Sequence, residues 1–229
     1  MTVSELIDTV SFPLQLTLRV TTLSTVIAAF FGIILAHLMA RRKFLLKEIL
    51  DATFTLPMVL PPTVIGYFLL LMLGKKGPVG SILDSLFSYS VIFSWHGAVI
   101  ASAFVSFPLV YKSARASIEE VSMDLEDAAR TLGKSEIVIF FIITLPLAWR
   151  GILAGSMLAF ARGMGEFGAT LMIAGNIPDR TQTLSLAIYE AVQSGNDPTA
   201  LALVLITSAV CIAVLVISGK LLSKRHWIR

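Results

Sequence analysis

Long apolar stretches recur along this chain, and they constrain its fold more than any single motif does. Each is close to or longer than the roughly 20 residues that an α-helix needs to cross a bilayer. Only 14% of the residues are charged, whereas a soluble domain carries roughly 25%. We therefore predict an all-α integral membrane protein with five spans. The predicted spans cover residues 12–40, 50–73, 92–111, 146–174 and 199–219.

Basic residues are distributed unevenly between the two sides that five spans would create. One side holds only Lys75, Lys76 and Arg180, and the other side holds most of the lysines and arginines. The positive-inside rule therefore predicts an N-terminus outside, a C-terminus inside and a cytoplasmic segment at residues 112–145. The residues assigned to the cytoplasmic side are Arg41, Arg42, Lys43, Lys47, Lys112, Arg115, Arg130, Lys134, Lys220, Lys224, Arg225 and Arg229.

Segment 112–145 contains the pattern of a short amphipathic helix followed by a glycine turn. Four apolar residues recur at helical spacing and form one stripe, while Glu126 can pair with Arg130 on another face. Gly133 follows the helix at a position where a positive φ costs nothing. A rigid helix with a small-residue face outside the bilayer is suited to contact with another protein. The stripe comprises Leu125, Ala128, Ala129 and Leu132.

The same segment resembles the EAA loop of binding-protein-dependent ABC transporter permeases. In this segment Glu126, Ala128 and Gly133 are followed by Ile143, Leu145 and Pro146, and Asp127 stands where that family has an alanine. The resemblance implies a type-1 ABC importer transmembrane domain with a coupling helix that docks onto a cytoplasmic ATPase. It also implies that the ATPase binds ATP and Mg²⁺, while this chain holds no cofactor. The implied coupling residues are Glu126, Asp127, Ala128, Ala129, Leu132 and Gly133.

Nothing in the sequence predicts an enzyme, a metal site or a nucleic-acid-binding surface. Gly133-Lys134-Ser135 matches the end of a phosphate-binding loop, but residue 128 is alanine where the first glycine is required. The histidines lie far apart in the sequence, and the single cysteine, Cys211, lies in an apolar run. The energy for any transport must therefore come from a partner protein or an ion gradient.

Two predicted spans contain residues that are unusual at membrane depth. A helix that restarts near Pro61 would point its positive end into the bilayer, which favours an anion; a simple kink is the alternative. Arg162 and Glu166 lie at i,i+4, and charges at this depth usually face a bundle interior or a cavity. A purely structural ion pair is the alternative for these two residues. The candidate path residues are Arg162, Glu166, Pro61, Pro62 and Thr63.

A ridge of small residues runs along the fourth predicted span at intervals of four. Small residues let another helix approach closely, and close packing is the main attraction between helices in lipid. The ridge suits packing within one subunit, a dimer seam or the wall of a path. It consists of Gly151, Gly155, Ala159 and Gly163.

Residues 56–67 and 161–170 resemble the molybdate and sulfate permeases, and the turn at 73–80 is most similar to the molybdate members. The resemblance covers nearly the whole of 1–229 as one domain. It implies a homodimer in the bacterial inner membrane, an ATPase dimer, a periplasmic oxyanion-binding protein and import of molybdate by alternating access. Sulfate or tungstate import by the same machine, a gradient-driven carrier and a passive membrane scaffold are the alternatives.

Overall fold

Helices make up the regular elements of the computed structural model, which describes residues 3–42 and 44–223. Lys43 and the tail residues 224–229, counted above for the topology, lie outside the described residues. The helices are α1 (Val3–Arg41), α2 (Lys47–Val59), α3 (Pro62–Leu73), α4 (Pro78–Phe87), α5 (Trp95–Glu119), α6 (Met123–Thr131), α7 (Glu136–Ile139), α8 (Leu145–Met164), α9 (Gly168–Ala174), α10 (Leu184–Gln193) and α11 (Asp197–Ser223), with a π-helical turn at Phe140–Thr144 before α8.

Four helical stretches within the described residues are long and apolar enough to cross a membrane. The helices α2 and α3 pass the same criterion together, although they meet at a bend of 113°, so the described chain has up to five spans. This agrees with the predicted all-α membrane fold. The four unbroken stretches are Thr9–Arg41, Trp95–Glu119, Glu136–Met164 and Asp197–Ile217.

The third helix of the membrane core extends further than its predicted span, 92–111. Helix α5 continues to Glu119, so the first eight residues of segment 112–145 are helical. The extension is stable because Ala114 and Ile118 are fully buried in a cluster with α1 and α8. Its polar residues are accommodated as well, since Arg115 pairs with Asp51 of α2.

The predicted fourth span, 146–174, requires two corrections. Its helix begins earlier, because Glu136–Met164 runs through the π-helical turn without a break. It also ends earlier, since the chain turns after Met164 and a new helix, α9, begins at Gly168. The Glu166 carboxylate accepts a hydrogen bond from the Ala169 N–H at 2.9 Å, which stabilises the start of α9.

The small-residue ridge packs α8 against α5 and α1 inside the chain. A methyl group on Gly151 would overlap Ser117 of α5, and one on Gly155 would lie 2.5 Å from Ser113 Cβ. Gly163 faces Thr21 of α1 in the same way. The structure therefore uses the ridge for packing within one subunit.

Candidate coupling segment and intramembrane site

Helix α6 has a defined start and a defined end. The Ser122 hydroxyl accepts a hydrogen bond from the Asp124 N–H at 3.3 Å, which caps the first turn. At the other end Gly133 has φ of 76°, and the N–H groups of Gly133 and Lys134 donate back to the carbonyls of Arg130 and Ala129. This is the Schellman arrangement, which a glycine makes without strain. The predicted short helix and glycine turn are both present.

One face of α6 is apolar and exposed, and it lies outside the candidate spans. Leu125 is 49% exposed and Leu132 is 79% exposed, and Ala128 lies between them on the same face. Ala129 departs from the predicted stripe, because it is buried against the rest of the chain. An exposed apolar face outside the bilayer is typical of a protein-binding surface.

Glu126 points away from that face and into the protein, where only 1% of its side chain is exposed. Arg41, in the last turn of α1, donates to Glu126 Oε1 at 2.8 Å. Thr144, in the π-helical turn, donates to the same oxygen at 2.7 Å. The predicted pair with Arg130 is present but longer, at 3.6 Å. Glu126 is therefore an internal anchor of α6 and not a part of its exposed face.

Arg130 closes the glycine turn from the outside. Its Nε and Nη2 groups donate to the two carboxylate oxygens of Glu136, at 2.7 and 2.9 Å. Asp127 accepts a further hydrogen bond from its Nη1. Because Glu136 begins α7, these contacts hold α6 against the helix that leads into α8.

The break between α2 and α3 lies at the prolines. Leu60 and Pro61 have extended backbones, with ψ of 143° and 136°, because each precedes a proline. Helix α3 restarts at Pro62, so the predicted restart near Pro61 is present and is sharper than a simple kink. A methyl group on Gly168 would lie 3.1 Å from Pro62 Cβ and 3.3 Å from Thr63 Cγ2. The structure thus brings the α2–α3 break against the start of α9.

Arg162 and Glu166 form the predicted ion pair, with Arg162 Nη2 at 3.0 Å from Glu166 Oε2. The contact joins the charges without hydrogen-bond alignment, since Glu166 Oε2 has no hydrogen-bond partner among the described residues. Only 2% of the Glu166 side chain is exposed, but 35% of Arg162 is. Arg162 therefore keeps part of its charged surface open. Glu166 is joined through Ala169 to α9, whose first residue contacts the proline break.

Sequence reasoning missed two residues that the structure places at the coupling segment. In the sequence Arg41 is only one of the basic residues that indicate the topology, and Thr144 is an unmarked position between Ile143 and Leu145 of the motif. Arg41 lies at the end of an apolar stretch and Thr144 lies within one, and either position is a weak signal. The contacts to Glu126 span 85 and 18 residues of sequence.

The family model described as "Binding-protein-dependent transport system inner membrane component" matches residues 28–227. The chain belongs to this family, and it is a multi-pass membrane protein of the ABC importer permease class. It is 44% identical to the molybdenum transport system permease protein ModB of Escherichia coli K12, over 89% of each chain. It is 48% identical to ModB of Haemophilus influenzae over 71% of each chain. The sulfate transport system permease protein CysW of Synechococcus elongatus is 33% identical over 91% of this chain and 72% of that one.

Solved structures of ABC transporters share the fold. The MetNI methionine ABC transporter, solved in inward-facing conformations, superposes with a TM-score of 0.75 at 13% identity and covers 97% of this chain and 98% of its own. A bacterial alginate ABC transporter in complex with its alginate-bound periplasmic protein has a TM-score of 0.72 at 16% identity, over 93% of this chain and 78% of that one. At these identities the likeness concerns the fold alone.

Proposed function

We propose that this chain is the membrane-spanning subunit of an ATP-driven importer that carries molybdate into the cell. The observation that carries the proposal is the 44% identity to a molybdenum transport permease over 89% of both chains. The whole chain, residues 1–229, acts as one transmembrane domain in the bacterial inner membrane. Its N-terminus lies outside, and α6 lies in the cytoplasm.

The partners follow from this role. A cytoplasmic ATPase dimer docks onto α6, binds ATP and Mg²⁺, and supplies the energy. A second copy of this chain completes the path, and a periplasmic oxyanion-binding protein delivers the anion. The exposed face of α6 supports the docking step, since Leu125, Ala128 and Leu132 are available to a partner there. Asp127 and Gly133 shape the helix end, while Glu126 and Ala129 hold the helix from inside.

Transport proceeds by alternating access, in which the spans rock around a central path. A doubly charged oxyanion needs some positive potential in a low-dielectric path, but strong attraction would trap it. Arg162, 35% exposed and partly neutralised by Glu166, provides weak attraction of this kind. The start of α3 at Pro61, Pro62 and Thr63 adds the positive end of a helix beside the same segment.

Sulfate is the second candidate substrate, because a sulfate permease is 33% identical over 91% of this chain. Tungstate has the same charge and shape as molybdate and is a further candidate substrate. Competition among the three anions for uptake distinguishes these candidates. A gradient-driven carrier is the remaining rival, and purification of this chain together with an ATPase would eliminate it.

The central experiment reconstitutes the chain with its ATPase and binding protein in proteoliposomes. We expect uptake of radiolabelled molybdate that requires ATP and the binding protein. Excess tungstate should compete, and sulfate should compete less. An ATPase subunit inactivated for hydrolysis is the matched control. Uptake that persists without ATP, or sulfate uptake in preference to molybdate, would overturn the proposal.

The orientation is tested with single cysteines in a Cys211→Ala background. Ser81, Ser135 and Ser194 are exposed in the structure and lie on different connecting segments. Cysteines at Ser81 and Ser194 should react with an impermeant thiol reagent once the outer membrane is permeabilised. A cysteine at Ser135 should react only after the inner membrane is opened, and the reverse pattern would invert the topology.

A further inference from the structure

Two membrane helices meet at a single carboxylate of α6, and a third is joined through one of its partners. Arg41 comes from the last turn of α1, and Thr144 from the turn that leads into α8. The Arg41 Nη2 group also donates to the Val121 carbonyl at 3.0 Å, just beyond the end of α5. Glu126 accepts from Arg41 and Thr144 with the same oxygen, Oε1. The side chain of Glu126 therefore connects α6 with the ends of α1 and α8, and Arg41 extends the connection to the end of α5.

The local backbone places Thr144 for this contact. Residues Phe140–Thr144 form a π-helical turn, which inserts an extra residue and rotates the side chains that follow it. Thr144 is fully buried and faces Glu126, while the preceding Phe141 and Ile142 remain exposed. Such turns are rare in ordinary helices and are frequent at functional sites.

The helices beneath this contact are packed tightly against one another. Buried residues of α1, α5 and α8 form one cluster, which includes Ala36, Ile118 and Ala148. Close-packed interiors transmit displacement because they compress little. The opposite face of α6 is exposed and has no such packing within the described chain. A displacement imposed on that exposed face would therefore reach the spans through Glu126.

We propose that Arg41 and Thr144 are positioning residues that make α6, α1 and α8 move as one unit when the ATPase displaces α6. The inference rests on the proposed function, because only a docked ATPase imposes that displacement. Charge-assisted hydrogen bonds in a buried site are strong enough for this role. In this arrangement Glu126 acts inside the subunit, and the exposed apolar face of α6 contacts the ATPase.

The first test is transport stoichiometry in the reconstituted complex. Thr144→Val removes only the hydroxyl donor, and Arg41→Met removes the charged donor. The affinity for the ATPase should remain within about twofold. Molybdate transported per ATP hydrolysed should fall by about two- to tenfold, as expected for the loss of one buried hydrogen bond. Should Arg41→Met fail to assemble, the result for Thr144→Val decides.

Matched controls exist for both substitutions. Thr22 is an exposed threonine of α1 whose hydroxyl bonds only the Leu18 carbonyl of its own helix, so Thr22→Val should leave stoichiometry unchanged. Arg42 is exposed beside Arg41, so Arg42→Met should do the same. Normal stoichiometry in Thr144→Val, or an equal loss in Thr22→Val, would overturn the positioning role.

The second test measures directly whether α6 and the turn that leads into α8 move together. Nitroxide labels at Thr131 and Ile142, both exposed, report the distance between α6 and the turn that leads into α8. In the otherwise unchanged chain this distance should stay constant when ATP binds, and it should shift or broaden in Thr144→Val. An unchanged distance in Thr144→Val would contradict the proposal. If the parent complex itself shows no molybdate-stimulated hydrolysis, the proposed function fails and the inference fails with it. If the parent and Thr144→Val transport the same amount of molybdate per ATP hydrolysed, the inference alone fails.

Discussion

Two buried glutamates, Glu126 and Glu166, organise the two regions of interest, and each contacts an arginine. Their partners differ in origin. Glu126 is bonded by Arg41 and Thr144, which lie 85 and 18 residues away in the sequence. Glu166 is held within its own segment: it forms an ion pair with Arg162 four residues before it and accepts a hydrogen bond from a backbone N–H three residues after it.

The difference teaches what each carboxylate can do. A carboxylate bonded from several helices resists their separation, so Glu126 is suited to transmitting movement. A carboxylate bonded locally stabilises one break in the helix and leaves the neighbouring elements free. The arginines differ accordingly, since 14% of Arg41 is exposed against 35% of Arg162. Arg162 thus keeps more of its side chain open than Arg41 does.

The largest expected effect comes from removing the tie at Glu126. Glu126→Ala leaves Arg41 nearly buried without its carboxylate, and breaking such a pair costs about 3–5 kcal/mol. We expect the detergent-solubilised chain to unfold at a lower temperature, as measured by fluorescence-detected size exclusion. Glu136→Ala is the control, because its pair with Arg130 is exposed and an exposed pair contributes at most about 1 kcal/mol. Equal stability of the two variants would show that Glu126 holds nothing together.

The second prediction tests whether Arg162 attracts the anion or only forms a structural ion pair with Glu166. Arg162→Gln should assemble with the ATPase and lose about tenfold or more of its uptake, since a charged hydrogen bond contributes about 1.5–3 kcal/mol. The double variant with Glu166→Gln should also assemble, and its uptake should stay low. Uptake of labelled molybdate in proteoliposomes measures both. Recovery of uptake in the double variant would assign the pair a structural role alone.

The third prediction probes the contact between the two helix breaks. Gly168→Ala adds a methyl group against Pro62 and Thr63, and overpacking of this kind costs about 1–3 kcal/mol. We expect slower uptake with normal membrane insertion. Gly165→Ala is the matched control, because a methyl group there approaches only the Arg162 carbonyl, at 4.0 Å. Identical uptake in both variants would show that the contact between the two helix breaks does not affect transport.

The smallest effect is expected at the end of α6. Gly133 has a positive φ, so Gly133→Val should cost about 1–2 kcal/mol through backbone strain, although a Cβ there has no described atom within 4 Å outside its chain neighbours. Weaker recovery of the ATPase in a pulldown is the expected readout. Gly133→Asn tolerates this conformation and should bind nearly normally. A loss that is as large for asparagine as for valine would mean that the side chain itself blocks docking.

The coupling segment shows how far local patterns reach. The helix, its glycine turn and the exposed position of Leu132 followed from spacing and from the conformational freedom of glycine. The direction of Glu126 did not follow, because i,i+4 pairing with Arg130 satisfies the same pattern. The inward direction depends on Arg41, which no local pattern connects to α6.

By itself, the sequence determined that this is an α-helical membrane protein, that prolines interrupt a helix near Pro61 by a kink or a break, and that a short helix ends at Gly133. These features depend on apolar length and on the backbone limits of proline and glycine, which act within a few residues. Only the tertiary structure decided that Arg41 meets Glu126 and that Pro62 meets Gly168. Spans attract one another through close packing and a few polar contacts, and the pattern within one span does not specify its neighbour.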